Sequence, residues 1–160
     1  MKTRPLLWVV VGLFVVLHLF LHVGLGLGAV APDLLTVALL LLAREVKVGV
    51  AAGTGFGLGL LEDALSVLSF GANAVAMSVT GALGALTRDL FVGDSLIFLV
   101  SYFALGKWLR DLLHWLVVGQ DLRQSFVDQM LVQGSLAALY AAAVAVLALA
   151  LTGLWGEPDA

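Results

Sequence analysis

Lys107, Arg110, Asp111 and His114 recur at the i, i+3, i+4, i+7 spacing that places them on one face of a helix. Two cations, a carboxylate and an imidazole on one face allow two arrangements. They line a polar seam inside a helix bundle, or they lie along a helix resting flat at a membrane interface. Lys107 and Asp111 are i, i+4 partners, with the cation first, which is the weaker order. That leaves capacity for a partner protein or a lipid headgroup to share the seam. A structural seam is the expectation here, ahead of a substrate path. Trp108, Leu112 and Trp115 fall on the opposite side.

Two further constellations carry possible chemistry. Glu62 and Asp63 are adjacent at the end of a glycine-rich apolar run, where a carboxylate can accept loop N–H bonds or pair with a cation. Their plain alternative is a solvated loop edge. As sequence neighbours they point in different directions on a helix, so a concerted acid–base pair is not expected. His18 and His22 stand four apart, a spacing at which two imidazoles can share a metal. A metal needs three or four ligands, and His114 is the only other histidine, so neutral histidines at a helix interface explain the pair as well. No catalytic constellation, metal site or cofactor is expected. The absence of cysteine excludes disulfides, thiol catalysis and cysteine-ligated metals.

These side chains need elements to hold them. Of 160 residues, 62% are hydrophobic and 12% charged, too little charged surface to cover a water-soluble globule. Lipid is the expected solvent. Six spans of roughly 20 residues would use about 120 residues, which leaves no room for a soluble catalytic domain or an ATPase. The formal net charge of −3, with no basic stripe, argues against nucleic acid as a partner.

The expected architecture is an all-α integral membrane protein, one domain of six transmembrane helices. The spans fall at about 6–24, 29–43, 48–61, 72–87, 93–117 and 134–155. The apolar run after Lys2 and Arg4 exceeds a signal-peptide core and lacks an A-x-A cleavage site, so it is expected as a retained first span with Trp8 as an interfacial anchor. Pro32 and Asp33 mark the start of the second span. That span has about 15 residues, or about 22 Å, less than a hydrocarbon core of about 30 Å. It should be shielded by its neighbours, or the bilayer should thin around it.

The third span holds Gly49, Gly53 and Gly57 at intervals of four, one face on which another helix can approach closely, and Gly59 is counted with them as a partner-packing position. The plain alternative is packing within the chain. The fourth span is also rich in small residues: Ala74, Ser78, Gly81, Ala82 and Ala85. Lys2, Arg4, Arg44, Lys47 and Arg88 fall on the side that six spans would assign to both termini, which favours cytoplasmic termini.

Taken in order, the segment Ala31-Pro32-Asp33-Leu34-Leu35, Arg44, the run Gly53 to Asp63, and Gly71-Ala72-Asn73-Ala74 resembles the bacterial rod shape-determining MreD family. The shared features are a PDL-type start, a GF-x-x-GLL-x-D helix end and a G-x-NA entry into a small-residue helix, over about residues 31–89. The resemblance implies a non-catalytic scaffold in the bacterial cytoplasmic (inner) membrane. It would bind MreC directly and join MreB, RodA and the transpeptidase partner of RodA in the complex for lateral peptidoglycan synthesis, amid membrane lipids. Pro32, Asp33, Arg44, Asp63, Gly71 and Asn73 are then family-motif positions. Asp63 and Asn73 are expected to hold the third-to-fourth connection. The family is also similar in fold to the substrate-binding S components of energy-coupling-factor transporters, so a vitamin-binding component is the rival expectation.

Overall fold

The computed structural model describes residues 5–25, 32–66, 70–88, 95–123 and 125–153. Lys2, Arg4, Ala29, Gly93, Trp155 and the acidic tail therefore lie outside the described residues. Six helices follow in order: α1 (Pro5–Leu19), α2 (Leu34–Ala43), α3 (Val48–Leu65), α4 (Ala72–Thr87), α5 (Leu96–Val117) and α6 (Ser135–Thr152). No strand occurs among the described residues. Two π-helical stretches extend the outer helices. Phe20–Gly24 continues α1, and Val127–Gly134 leads into α6. The polar stretch before α6 is thus partly helical.

Among the described residues three segments are long and apolar enough to cross a membrane: Pro5–Gly24, Val48–Leu65 and Val127–Thr152. Their outer faces are bare hydrocarbon. Val9, Leu13 and Val16 on α1, Phe56 on α3, and Leu139 and Leu147 on α6 are all exposed. An apolar surface this extensive is stable against lipid and not against water.

The short helix α2 sits at the centre. All ten of its residues are buried. A ten-residue helix is about 15 Å long, so it cannot present a full span to lipid, and the bundle shields it on all sides. Its own composition permits this. Leu34 to Ala43 is apolar all round apart from Thr36, which is what a helix without a solvent face requires. The C-terminal end of α2 is closed from α4. The Arg88 guanidinium donates to the Arg44 carbonyl (3.3 Å) and the Val46 carbonyl (2.9 Å), where helix carbonyls lack partners.

The helices α3 and α4 form the most extensive pair. Ala51, Gly55, Gly59 and Asp63 are the buried residues of α3, a row at intervals of four. Facing them are Gly81, Met77 and the Asn73–Ala74 backbone. A Cβ on Gly55 would collide with the Met77 carbonyl, and one on Gly59 with the backbone of Asn73 and Ala74. A Cβ on Gly81 would fall 2.5 Å from the Ala51 carbonyl oxygen. The two backbones thus meet where side chains are absent. Gly59, expected on a partner-docking face, belongs to this internal contact. The row Gly49, Gly53, Gly57 is offset from it by two residues, or about 200° around the helix. All three of those glycines are exposed, with no atom within 4 Å of a Cβ built on them. The third helix also runs on to Leu65, so Glu62 and Asp63 lie inside its last turn and do not end it.

The two rows should separate experimentally. Gly55→Ala should lower the melting temperature in detergent, by an overpacking cost of about 1–3 kcal/mol. Gly53→Ala should leave it unchanged or slightly raised. Equal melting temperatures for both variants would contradict the α3–α4 packing.

Candidate functional site

The site begins with Asp63. Its side chain is fully buried, at 0% exposure, in the last turn of α3. It accepts the backbone N–H of Gly71 (2.9 Å), Asn73 (3.1 Å) and Ala74 (3.0 Å). The first N–H groups of a helix have no intrahelical acceptor, and a carboxylate there also meets the positive end of the helix dipole. Asp63 therefore caps α4 from a different helix. Gly71 makes the approach possible with φ +93°, a conformation that suits glycine. The expectation that Asp63 and Asn73 hold the α3–α4 connection has a defined geometry here.

Capping by Asp63 delivers Asn73 to the seam on α5. The Arg110 guanidinium donates through Nη2 to Asn73 Oδ1 (2.6 Å) and to Glu62 Oε1 (2.7 Å), and through Nη1 to Asp111 Oδ1 (3.2 Å). The Lys107 ammonium pairs with Asp111 and with Asp33 Oδ2 (3.2 Å). Asp33 in turn caps α2, accepting the Thr36 N–H (3.0 Å) and the Thr36 hydroxyl (2.7 Å). Pro32 stands before this cap, outside the first turn. The basic face of α5 is therefore an internal seam and not an interfacial helix. Its second half is covered, with Lys107 and Arg110 both buried. Trp108 and Trp115 turn the other way: Trp108 donates to the Met130 carbonyl (3.3 Å), and Trp115 packs edge-on against Phe126.

The seam borders a cavity of about 470 Å³, lined by polar groups of α1, α2, α3, α5 and the start of α6. His18 and His22 come from α1 and its π-helical extension, Asp33 from α2, Glu62 from α3, and Lys107 and Arg110 from α5. Gln133 comes from the π-helical lead-in to α6, and Leu136, Ala137 and Tyr140 from α6 itself. The ends of α1 and α3 and the starts of α2 and α6 therefore converge at one end of the bundle.

The histidine rings stack with centroids 3.9 Å apart and planes at 18°. His22 Nδ1 is 3.2 Å from the His18 carbonyl oxygen. A carbonyl only accepts, so this bond places the proton on His22 Nδ1. Nearly parallel rings hold their in-plane lone pairs side by side and do not aim them at a common point. Among the described residues no group of three potential metal ligands is gathered.

Sequence reasoning placed Lys107, Arg110 and Asp111 together, and they are together. His114 is not among the cavity's lining residues. Cation pairing was among the readings of Glu62, and its cation is Arg110; missing from that reading were Asp33 as a counter-ion and His18 and His22 as a wall. The available signal was parity: in a chain of alternating helices, every odd helix ends and every even helix begins on the same side. Arg44 lies at the other end, as the C-cap of α2. No family model, no curated protein and no solved structure matches this chain.

Asp63→Ala would leave the Asn73 and Ala74 N–H groups without an acceptor, at about 1–3 kcal/mol for each buried group. Thermal unfolding in detergent should show a clear loss of stability, smaller for Asp63→Asn, which keeps one acceptor oxygen. A wild-type melting curve for Asp63→Ala would overturn the capping role.

Proposed function

We propose that this chain is a non-catalytic, six-span scaffold of the rod-shape elongation complex in the bacterial cytoplasmic membrane. In this reading α3 docks the transmembrane helix of MreC, and through MreC the chain joins MreB, RodA and its transpeptidase partner. The observation that carries the reading is the exposed glycine row. Gly49, Gly53 and Gly57 open outward along α3 with nothing within 4 Å of a Cβ at any of them. A helix surface without side chains lets a second helix pack backbone to backbone, which is how helices associate where apolar burial supplies no drive. The remote cap adds support. It gives a physical role to Asp63, Gly71 and Asn73, three of the positions on which the resemblance to MreD rests. Both termini are assigned to the cytoplasm by the distribution of Lys and Arg.

One observation favours a second reading. The polar cavity gathers convergent side chains at one end of the bundle, which is what a small-molecule-binding component similar to the transporter S components needs.

Gly53→Leu and Gly57→Leu test the docking face, because the free space beside both positions lets the variants fold. Each should keep a monodisperse profile and a wild-type melting temperature while losing co-purification of MreC. Two folded variants that still capture MreC would show that the partner docks elsewhere. For topology, a C-terminal alkaline phosphatase fusion should be inactive and a fluorescent-protein fusion bright; the opposite pair of results would invert the assignment.

A further inference from the structure

The cavity has a hydrogen-bond pattern that its own side chains do not complete. Among the lining residues Asp33 and Glu62 bring two carboxylates and Lys107 and Arg110 bring two cations, all engaged in ion pairs. Two buried atoms on the same ion pair lack any hydrogen-bond partner: Glu62 Oε2, an acceptor, and Arg110 Nε, a donor. His18 Nδ1, on the facing wall, is also buried without one. Arg110 and His18 are 8% and 4% exposed, and although the Glu62 side chain is 24% exposed its Oε2 atom is itself buried. Leaving such groups unsatisfied is costly. A ligand that complements them carries an ammonium for Glu62 Oε2 and an anionic oxygen for Arg110 Nε.

The cavity wall is open on one side. α6 packs on α5 and α2, and α1 packs on α2, whereas α1 and α6 share at most marginal contact. The lining residues Leu136 and Tyr140 are 65% and 50% exposed on that flank. Both π-helical stretches border it and contribute His22 and Gln133 to the lining. Such widened turns recur at functional sites. Arg110 lies about two turns before the end of α5, or about 10 Å inside it, within reach of a group descending from the membrane surface.

We infer that this cavity binds a zwitterion of the phosphoethanolamine type, with any attached hydrocarbon leaving between α1 and α6. Its ammonium pairs with Glu62, its phosphate oxygen accepts from Arg110 Nε–H, and acyl chains run over Leu136 and Tyr140. Phosphatidylethanolamine and free phosphoethanolamine share this chemistry. The inference rests on the cavity and not on helix docking at α3, and it narrows the small-molecule reading to one class.

Native mass spectrometry of the purified full chain tests it, with phosphatidylethanolamine and phosphatidylglycerol of matched acyl chains as probes. The ethanolamine lipid should bind at about tenfold lower concentration, and Glu62→Gln should abolish that preference. Ala137→Trp, on the half-exposed α6 wall, should weaken the ethanolamine lipid by a similar factor and serves if Glu62→Gln does not fold. Competition with free phosphoethanolamine assigns the source. Displacement at comparable concentration points to the soluble zwitterion, and its failure points to the lipid; both support the class. Equal binding of the two lipids, a folded Glu62→Gln that keeps the preference, or an unaffected Ala137→Trp overturns the inference. A retained ligand of another chemical class would overturn it too, while leaving the small-molecule reading standing.

Discussion

Two cations buried on one helix organise this bundle. Lys107 and Arg110 lie in the second half of α5, away from bulk water, where an unpaired charge is prohibitive and only a fully partnered one is tolerated. Asp111 on the same helix cannot neutralise both. The remaining counter-charge arrives from the start of α2 as Asp33 and from the last turn of α3 as Glu62, with the Asn73 side chain from α4 completing the set. Three other helices must therefore end or begin at one level beside α5. The interhelical order follows from charge neutralisation as much as from apolar packing.

The same level is reinforced by backbone capping. Asp33 closes the N-terminus of α2 and Asp63 that of α4. Both carboxylates meet helix donors that lipid could not satisfy. Adjacent Glu62 and Asp63 thus serve different partners: one faces the α5 guanidinium, the other the α4 backbone. Their opposite directions are the ordinary consequence of about 100° between neighbours on a helix. At the other end, Arg88 performs the matching task for the carbonyls that end α2. Between these polar ends the packing is close. Tyr102 reaches the Leu40 and Gly84 carbonyls at 3.2 and 3.3 Å, and Gly106 leaves space for the Leu40 side chain.

The glycine row and the polar cavity are separate surfaces. The open glycine row runs along the outer face of α3, away from α4, and the polar cavity lies at one end between α1, α5 and α6. Docking at the row would cover backbone without disturbing the ion pairs. Occupancy of the cavity would act on Glu62 and Arg110, and through Asn73 and Asp63 on the α3–α4 connection. Because α3 carries both the open glycine row and Glu62 of the polar cavity, a change at one has a physical route to the other.

The amino-acid order alone carries the helical, apolar character, the approximate helix limits and the polar face of α5. Composition and the 3.6-residue period are local properties that need no partner to be read. It also determined that the second helix was too short to stand alone in a bilayer, since length is counted directly. Only the tertiary structure decided that neighbours enclose that helix completely. It also decided which of two rows on α3, each spaced by four and offset by two residues, packs against α4. Both rows are small enough for close approach, and the choice falls to the row that ends in Asp63, because that carboxylate must reach the α4 N–H groups. The pairing of Asp33 with Lys107 and of Glu62 with Arg110 was likewise invisible along the chain. Charges far apart in sequence find each other only when folding removes the water that would otherwise screen them.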